Sequence, residues 1–311
     1  VVVDIGIPSA VYAHQSLRTR MVEAHDVQKL LPTRPSTAHK YNVGKVFFLA
    51  GSRGFTGAAA LAAGASLRSG AGAVVLGTPE TVYPILSKKL SEVIVRPLPA
   101  TSDGSLSLDG LGEIKERMSW ADVTVIGPGL SRQADTQKLV QQLVLQSDAK
   151  ILIDADGLNA LSAVGPRALK KSKATLLLTP HTGEFSRLTG VASGEIEANR
   201  VSSVRDAAKD LGSTVVLKGA PTATATTRGE VFLNPTGNPG MATVGSGDVL
   251  SGIIAGLWAQ GMEATGAAFS GVYLHGLAGD LAGSKYGERS LVAQDLIDFL
   301  PAAFQKLKVP A

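Results

Sequence analysis

Residues 122–157, DVTVIGPGLSRQADTQKLVQQLVLQSDAKILIDADG, contain two short apolar runs that each end in glycine or aspartate, with a longer segment between them. The two runs, DVTVIGPG from Asp122 and KILIDADG from Lys150, have the length and β-branched content of buried strands. A strand, a segment of helical period and a second strand together form the βαβ unit of a parallel sheet. This stretch therefore predicts an α/β fold.

The same alternation of strands and helices extends in both directions along the chain. Further strands are predicted at KVFFLAG from Lys45, AVVLG from Ala73, EVIVRPL from Glu92, TLLLTPH from Thr175 and TVVLKGA from Thr214. After Lys218, the segments TATAT and EVFLN flank a turn at Arg228-Gly229 and predict an antiparallel hairpin, and the remainder of the chain is predicted to be helical. We expect a central, mostly parallel sheet with helices on both faces, a three-layer αβα architecture.

The first 38 residues depart from this pattern. VVVDIGIP at residues 1–8 could form a strand, whereas the stretch after it carries Pro32, Pro35 and turn residues, as linkers do. We therefore predict a domain boundary near Ala38, with residues 39–311 as the main domain. Because the sequence begins with Val1 rather than Met, we also expect it to be a piece of a longer protein.

The composition excludes several classes of function. The chain has no cysteine, which excludes disulfides, thiolate zinc sites, iron–sulfur clusters and cysteine nucleophiles. Its net charge of +4 comes from 30 basic and 26 acidic residues without a run of like charges, so we expect no nucleic acid partner. No stretch reaches the roughly 18 apolar residues of a membrane span, and we expect no membrane association. A cytoplasmic enzyme acting on anionic ligands fits these properties.

The most informative stretch is NPTGNPGMATVGSGDVLSG, residues 234–252. Gly245, Ser246 and Gly247 precede an apolar helical run, so their N–H groups should converge at a helix N-terminus, where the macrodipole favours a phosphate. Asp248 in that first turn could simply complement the helix dipole. Combined with a glycine-rich anion site, Asp248 could instead be the base that activates a hydroxyl in a phosphoryl transfer.

Two strand-to-helix turns offer further candidates, because doubly wound sheets bind ligands at the carboxyl ends of their strands. In AGSRGFTGAAALAA, from Ala50, the glycines permit either a tight turn or an anion contact. In LLLTPHTGEF, Thr179 is the expected helix N-cap and His181 lies at the corner, on the ligand side of the sheet. Glu184, one turn later, has the position of a first-turn acid that offsets the helix dipole.

Two more strand ends carry charged residues. IDADGLNAL offers Asp154, Asp156 and Asn159, and the two carboxylates could either hold Mg²⁺ through water or simply be solvated. VLKGAPT offers Lys218, followed by flexible backbone, where the ammonium could meet a phosphate or lie in solvent.

Taken in order and at this spacing, six motifs resemble those of the NAD(P)H-hydrate dehydratase family of the ribokinase-like superfamily. The motifs are GSRGFTGA, VIGPGL, DADGLNAL, TPHTGE, LKGAPT and GNPGMATVGSGDVLSG. The resemblance runs from about His39 to Phe304. VVVDIGIP also resembles the last strand of the NAD(P)H-hydrate epimerase domain, which in many bacteria is fused ahead of the dehydratase. Residues 1–38 would then be the end of an epimerase-like domain plus a linker, and residues 39–311 the dehydratase domain.

The resemblance implies an ADP-dependent dehydration of the S epimer of NADHX or NADPHX, the hydrated forms of NADH and NADPH. The hydroxyl of the hydrate would be phosphorylated and phosphate then eliminated, which releases AMP and phosphate. ADP is the implied co-substrate, with ATP as the alternative and Mg²⁺ accompanying the nucleotide. A homo-oligomer, such as a tetramer, is the implied assembly. The GSGD sequence resembles the bacterial ADP-dependent members.

The same resemblance implies the site residues. Residues implied to contact the hydrated cofactor are Ala58, Gly129, His181 and Asp248, and those implied to bind the nucleotide are Lys218, Gly219, Ala220, Pro221, Thr222 and Gly247. Asp248 is the implied base, with the N–H groups of Gly245, Ser246 and Gly247 as its anion hole. The sequence departs from the family pattern at Thr182, where proline is common, and at residues 244–246, where Val-Gly-Ser replaces Gly-Gly-Thr.

Two other functions remain open from the sequence. One is another ribokinase-like kinase, which would phosphorylate a vitamin precursor or a sugar alcohol and release a stable phosphoester. That class shares the fold and the GSGD arrangement but not the combination of TPHTGE and GNPGMAT. The other is a non-catalytic nucleotide-binding regulator, against which an intact Asp248 argues. The fold alone does not separate these functions.

Overall fold

The computed structural model describes Gly6, residues 17–34 and residues 36–307. Within these residues, ten strands form a single sheet in the order β1-β10-β9-β8-β7-β6-β5-β2-β3-β4. The strands are β1 Thr19–Met21, β2 Lys45–Leu49, β3 Ala73–Pro79, β4 Ile94–Leu98, β5 Val123–Ile126, β6 Lys150–Ile153, β7 Thr175–Leu178, β8 Thr214–Leu217, β9 Ala223–Ala225 and β10 Val231–Leu233. All strands predicted from Lys45 onward are confirmed.

Neighbouring strands of the sheet are parallel except around the predicted hairpin. β9 pairs antiparallel with both β8 and β10, and the remaining neighbours pair in parallel. The parallel block β8-β7-β6-β5-β2 therefore places five consecutive carboxyl ends along one edge of the sheet. This is the edge where doubly wound folds bind their ligands.

Helices cover both faces of the sheet. They are α1 Ala24–Leu30, α2 Thr56–Arg68, α3 Tyr83–Lys89, α4 Leu111–Trp120, α5 Ala134–Gln146, α6 Ala155–Ser162, α7 Pro166–Lys170, α8 Thr182–Thr189, α9 Ser193–Ala198, α10 Arg200–Leu211, α11 Ser246–Ala259, α12 Ala264–Tyr286 and α13 Ala293–Leu307. Among the described residues, no helix combines the length and the apolarity needed to cross a membrane.

The two hydrophobic cores follow from the alternation of side chains along each strand. In β2, Val46 and Phe48 face one core, which they share with α2, α11, α12 and α13. Phe47 and Leu49 face the opposite core, which includes side chains of α4, α5, α6, α8 and α10. All four β2 side chains are at most 1% exposed. Because both faces are buried, the strand is an unbroken apolar run, and the predicted three-layer αβα architecture is confirmed.

Close packing of α11 against α2 fixes the position of the glycine-rich stretch. A Cβ at Gly252 would collide with the carbonyl oxygen of Ala62, and one at Gly256 would lie 2.7 Å from the carbonyl oxygen of Ser66. Glycine therefore allows the two helix backbones to approach at these positions. The contact holds the N-terminus of α11, and with it Asp248, at the carboxyl edge of the sheet.

The segment that the sequence suggests is a linker is partly integrated into the sheet. Thr19–Met21 pairs in parallel with Val231–Leu233, and Val22 and Val27 are 2% and 0% exposed. The linker prediction is therefore wrong for residues 19–30, because this short strand and helix bury their two valines in the main core. The strand predicted at residues 1–8 lies outside the described residues apart from Gly6. The assignment of that segment to a preceding domain stays a prediction.

Candidate active site

Two of the predicted strand ends are joined directly through the backbone. His181 and Lys218, which follow β7 and β8, form an isolated parallel bridge, and the Lys218 N–H donates to the carbonyl oxygen of Pro180 at 2.8 Å. Asp154 follows β6, the next strand of the sheet. The structure thus brings His181, Lys218 and Asp154 together, as expected for neighbouring parallel strands.

Lys218 and Asp154 form a buried ion pair at this edge. Lys218 Nζ lies 2.7 Å from Asp154 Oδ1, and Ser251 Oγ in α11 donates to Asp154 Oδ2 at 2.7 Å. The Asp154 side chain is 1% exposed and that of Lys218 is 18% exposed. Burial alone would lower the pKa of the Lys218 ammonium, but Asp154 and Glu184 outweigh burial and raise it. Lys218 is therefore a fixed positive charge at neutral pH.

Glu184 connects this ion pair to His181. Its Oε2 atom accepts from the His181 N–H at 3.0 Å and lies 3.9 Å from Lys218 Nζ, while Oε1 lies 3.4 Å from His181 Nε2. The carboxylate is only 8% exposed, whereas the His181 side chain is 55% exposed. Glu184 therefore holds the His181 ring in a position that is open to a ligand. The only sequence signal for this role is the position of Glu184 in the first turn of a helix.

The N-cap of α8 is His181, so the prediction of Thr179 as the cap is wrong. His181 Nδ1 accepts from the Gly183 N–H at 3.0 Å, and Thr179 is fully buried, with its hydroxyl 3.3 Å from the Ile153 carbonyl oxygen. Thr179 still belongs to the sheet edge, which places the helix start two residues later. Because Nδ1 is an acceptor, the neutral His181 ring carries its proton on Nε2, on the side of Glu184.

The glycine-rich stretch forms the predicted helix N-terminus. Gly245 is the N-cap in a left-handed conformation, with φ +93°, and the first intrahelical bond runs from the Val249 N–H to the Gly245 carbonyl oxygen at 3.0 Å. The first N–H groups of an α-helix have no intrahelical acceptor. The amides of Gly247 and Asp248 are thus in the position of anion donors, whereas the Ser246 amide, predicted as part of the anion hole, donates to a backbone carbonyl instead.

Ser246 makes its contacts on the interior side of this turn. Its N–H donates to the Thr243 carbonyl oxygen at 3.3 Å, and its hydroxyl and carbonyl oxygen lie 3.3 Å and 3.0 Å from Nε2 of His275 in α12. His275 is 8% exposed, and burial lowers its pKa to about 4. The neutral His275 imidazole therefore supports the first turn of α11 from the interior side. The sequence does not reveal this contact between α11 and α12.

Asp248 lies in a partly dehydrated environment with three other carboxylates and the Lys218 ammonium nearby. Burial and then the Asp154 carboxylate, with smaller contributions from Glu184 and Asp156, raise the pKa of Asp248 to about 7, against the opposing effect of Lys218. A general base is most efficient when its pKa is near the working pH. A Cβ on Gly247 would lie 3.2 Å from Lys218 Nζ, so the ammonium faces the turn that carries Asp248. The Asp248 carboxylate, the Lys218 ammonium and the amides of the first turn therefore lie together at the N-terminus of α11.

Ala58 and Gly129 adjoin each other beside β2 and β5. Gly129 has φ +64°, and a Cβ there would lie 2.8 Å from the Phe55 carbonyl oxygen and 3.2 Å from Ala58 Cβ. The Gly129 carbonyl oxygen accepts from Ser52 Oγ at 2.7 Å. Phe55 lies next to them and is 57% exposed. Phe55 was not singled out from the sequence, although an exposed aromatic residue in a glycine-rich loop can indicate a ligand contact. These contacts form a second wall along the same sheet edge.

Internal hydrogen-bond donors contact the two aspartates that follow β6. Both Asp154 oxygens are bonded to Lys218 and Ser251, and Asp156 accepts from the Ser131 N–H and from Asn159 Nδ2. Across the described ranges, no group of three or more aspartate, glutamate or histidine side chains could hold a metal ion. The possibility that Asp154 and Asp156 hold Mg²⁺ through water stays a prediction, with each of their oxygens already accepting one internal hydrogen bond.

The carboxyl edge of this doubly wound sheet carries a carboxylate of raised pKa, a buried lysine and a helix N-terminus. These features are typical of α/β enzymes that act on phosphate groups. A solved structure of a ribokinase-like superfamily protein from Enterococcus faecalis superposes with a TM-score of 0.80 and 29% identity, covering 96% of this chain and all of the other. The protein thus has the ribokinase-like fold.

The chain belongs to the NAD(P)H-hydrate dehydratase family, whose model matches residues 46–302. It is 45% identical over 307 residues to the bifunctional NAD(P)H-hydrate repair enzyme of Moorella thermoacetica, covering 99% of this chain and 58% of that protein. It is 33% identical over 284 residues to the ADP-dependent (S)-NAD(P)H-hydrate dehydratase of Bacillus subtilis, covering 91% of this chain and 96% of that protein. The chain therefore spans a little over half of the bifunctional relative.

A solved structure gives the same assignment. The ADP/ATP-dependent NAD(P)H-hydrate dehydratase of Bacillus subtilis, co-crystallised with ATP and Mg²⁺, superposes with a TM-score of 0.81 and 32% identity, covering 93% of this chain and 98% of that one. The family resemblance identified from the six motifs is thus confirmed. The roles of the individual site residues stay predictions.

Proposed function

We propose that this chain catalyses the ADP-dependent dehydration of (S)-NADHX and (S)-NADPHX to NADH and NADPH, as a cofactor-repair enzyme. The observation that carries the proposal is the placement of Asp248, whose pKa is raised to about 7, in the first turn of a helix that the Lys218 ammonium faces. A base near neutrality beside positive charge and free amides suits the transfer of a phosphoryl group to a hydroxyl.

In this mechanism, Asp248 accepts the proton of the hydrate hydroxyl, whose oxygen attacks the terminal phosphoryl group of ADP as the bond to AMP breaks. The amides of Gly247 and Asp248 and the Lys218 ammonium stabilise the negative charge on the transferring group. The C–O bond of the phosphate ester then breaks, phosphate leaves with the bonding electron pair and takes up a proton from the neighbouring ring carbon, and the ring double bond is restored. The products are the reduced cofactor, AMP and phosphate.

The two substrates would approach from adjacent parts of the sheet edge. Ala58, Gly129 and the exposed ring of His181 form the side proposed for the hydrate, and residues 218–222 with Gly247 form the side proposed for the nucleotide. The His181–Lys218 bridge joins these sides through two neighbouring strands. The reacting oxygen and phosphorus can therefore meet beside Asp248.

Mg²⁺ would enter with the nucleotide in this proposal. Mg²⁺ at nucleotide sites is commonly held by phosphate oxygens and water with few protein ligands, which matches the occupied Asp154 and Asp156 carboxylates. When bound, it neutralises charge on the phosphates. We expect ADP to support faster turnover than ATP, because the GSGD sequence resembles the bacterial ADP-dependent form.

The decisive experiment incubates the protein with hydrated NADH and either ADP or ATP. Return of the near-ultraviolet absorbance of NADH, together with release of AMP or ADP, supports the dehydratase. Accumulation of a stable phosphoester without NADH would support a ribokinase-like kinase, and nucleotide binding without turnover would support a regulator. Equal or faster rates with ATP at all concentrations would contradict the ADP preference alone.

We further propose that the full-length protein joins this dehydratase to an upstream NAD(P)H-hydrate epimerase and acts in the cytoplasm as a homo-oligomer. The greater length of the bifunctional relative from Moorella thermoacetica supports the first part. Epimerase activity of the full-length protein on the R epimer would test it. Light scattering of the purified protein would test the assembly, and a monomeric mass would contradict it.

A further inference from the structure

Arg200, the first residue of α10, holds the loop that follows β8. Its Nη2 atom donates to the carbonyl oxygens of Leu217 at 3.2 Å and Lys218 at 3.0 Å, and its Nε atom donates to that of Pro221 at 3.3 Å. The Arg200 side chain is 10% exposed. One guanidinium therefore joins the two ends of the proposed nucleotide-binding loop, residues 218–222.

The loop is shaped around this guanidinium. Gly219 has φ +154°, and a Cβ there would collide with Arg200 Nη2, so a larger residue would displace the side chain. The Thr222 hydroxyl donates to the Gly219 carbonyl oxygen at 2.8 Å and closes the loop on its other side. The conformation of the loop thus depends on Arg200 staying in place.

A second set of contacts connects Arg200 to the histidine corner. Arg200 Nη1 lies 2.8 Å from Glu197 Oε2, and Thr182, directly after His181, donates a short hydrogen bond from its hydroxyl to Glu197 Oε1. The Thr182 hydrogen bond, with a further contribution from Arg200, holds the pKa of Glu197 below its usual range. The contacts therefore run from Thr182 through Glu197 and Arg200 to the loop.

We infer that Arg200 is a positioning residue for the nucleotide-binding loop, and that Thr182 and Glu197 link this loop to the His181 side of the site. The inference rests on the proposed function, because the nucleotide is what the loop would bind. A loop fixed before binding loses less conformational entropy when the ligand arrives. Loss of Arg200 should therefore weaken nucleotide binding without removing any group that reacts.

The first test compares Arg200→Met with wild type in ADP titration calorimetry and steady-state kinetics. We expect the ADP Kd and KM to rise roughly tenfold or more, with kcat within about threefold of wild type, because a binding contact is lost and the reacting groups remain. Arg200→Lys keeps the charge but lacks the planar fork that reaches three carbonyls, so it should show a similar loss.

Arg205 provides a matched control on the same helix. Its Nε atom donates to the Gly229 carbonyl oxygen at 3.1 Å and its Nη2 atom donates to Thr19 Oγ1 at 2.6 Å, so it also holds a loop through a backbone carbonyl, but at the hairpin. Arg205→Met should lower the Tm and leave the ADP Kd unchanged. An equal loss of ADP affinity in both variants would show a general structural effect and overturn the inference.

The link to Thr182 is tested by variants at its hydroxyl. Thr182→Val removes the donor to Glu197, whereas Thr182→Ser keeps it, so Val should raise the ADP KM and Ser should restore it. Glu197→Gln removes the charge that faces Arg200 and should also raise the ADP KM. Wild-type ADP KM in both Thr182→Val and Glu197→Gln would overturn the link, and these variants decide it even if Arg200→Met does not fold.

Failure of the inference can be distinguished from failure of the proposed function. Wild-type protein that neither binds ADP nor uses it on hydrated NADH would reject the proposed function, and the inference with it. Wild-type protein that binds ADP and turns over, with Arg200→Met binding ADP equally well, would reject the inference alone.

Discussion

Lys218 Nζ and Asp154 Oδ1 lie 2.7 Å apart in a part of the sheet edge where the carboxylate is 1% exposed. This contact joins the ends of β8 and β6 across the intervening strand β7. Ser251 occupies the other Asp154 oxygen, which adds the glycine-rich helix α11 to the same cluster. The pair therefore fixes the relative positions of two strand ends and of the helix that carries Asp248.

Asp248→Asn is expected to abolish most activity without disturbing the fold. The change keeps the size of the side chain but removes the charge that a base requires, so kcat should fall by roughly 10²–10⁴-fold. Nucleotide affinity and Tm at neutral pH should stay at or above wild type. If Asp248 only complements the helix dipole, kcat should be nearly unchanged. A folded variant with more than about a tenth of wild-type kcat would contradict the base assignment.

The pH dependence of stability should also report on Asp248. Its pKa rises from an ordinary value of 3.8 to about 7 on folding, so the folded state favours the protonated form. The stability that this group contributes is complete below 3.8 and is lost as pH rises through about 7. Asp248→Asn should therefore gain stability relative to wild type between these pH values, measured by urea unfolding. Parallel pH profiles for the two proteins would exclude a raised pKa at Asp248.

Several parts of the fold were predictable because they depend on local patterns. The strands buried on both faces, such as β2 and β6, are unbroken apolar runs ending in glycine or aspartate. The strand Thr19–Met21 was not predictable, because it has three residues, stands at the edge of the sheet and is mostly exposed. Its place depends on pairing with Val231–Leu233, more than 200 residues away in the sequence.

Some residues of the candidate site could also be predicted from the sequence, and others could not. His181, Lys218 and Asp248 are visible as polar residues at strand or helix ends. Ser251 lies within the apolar run of α11, so the sequence does not mark it as a partner of Asp154. Arg200 begins a helix that precedes the loop it holds, and no motif in the sequence connects the helix with the loop. Their roles come from contacts between elements, which only the folded structure reveals.

The Lys218–Asp154 pair should show strong coupling in a double-mutant cycle. Lys218→Met leaves the Asp154 carboxylate buried without its cation, which should cost about 3–5 kcal/mol of unfolding free energy. Asp154→Asn should cost less, because Glu184 still lies 3.9 Å from the ammonium. With both charges removed, the double variant should be more stable than the sum of the single effects predicts, measured by urea unfolding.

The exposed pair Lys45–Asp122 is the control for this cycle. Its atoms lie 3.7 Å apart with side chains 25% and 43% exposed, so its coupling should be below about 1 kcal/mol. Equal coupling in both pairs, or additive effects at Lys218 and Asp154 within about 0.5 kcal/mol, would argue against a buried ion pair that organises the site.

Gly129→Ala is expected to weaken binding of the hydrated cofactor. Gly129 has φ +64°, and the added Cβ would lie 2.8 Å from the Phe55 carbonyl oxygen, so the two loops that adjoin Ala58 must move apart. Gly190→Ala is a matched control, because Gly190 is left-handed with φ +79° and has no atom within 4 Å of its added Cβ. Both variants carry the cost of an alanine at positive φ, roughly 1–2 kcal/mol, but only Gly129→Ala adds a collision. The KM for hydrated NADH should therefore rise several-fold in Gly129→Ala and stay at the wild-type value in Gly190→Ala, with the ADP KM unchanged in both. A normal hydrate KM in a folded Gly129→Ala protein would remove Gly129 from the hydrate side of the site.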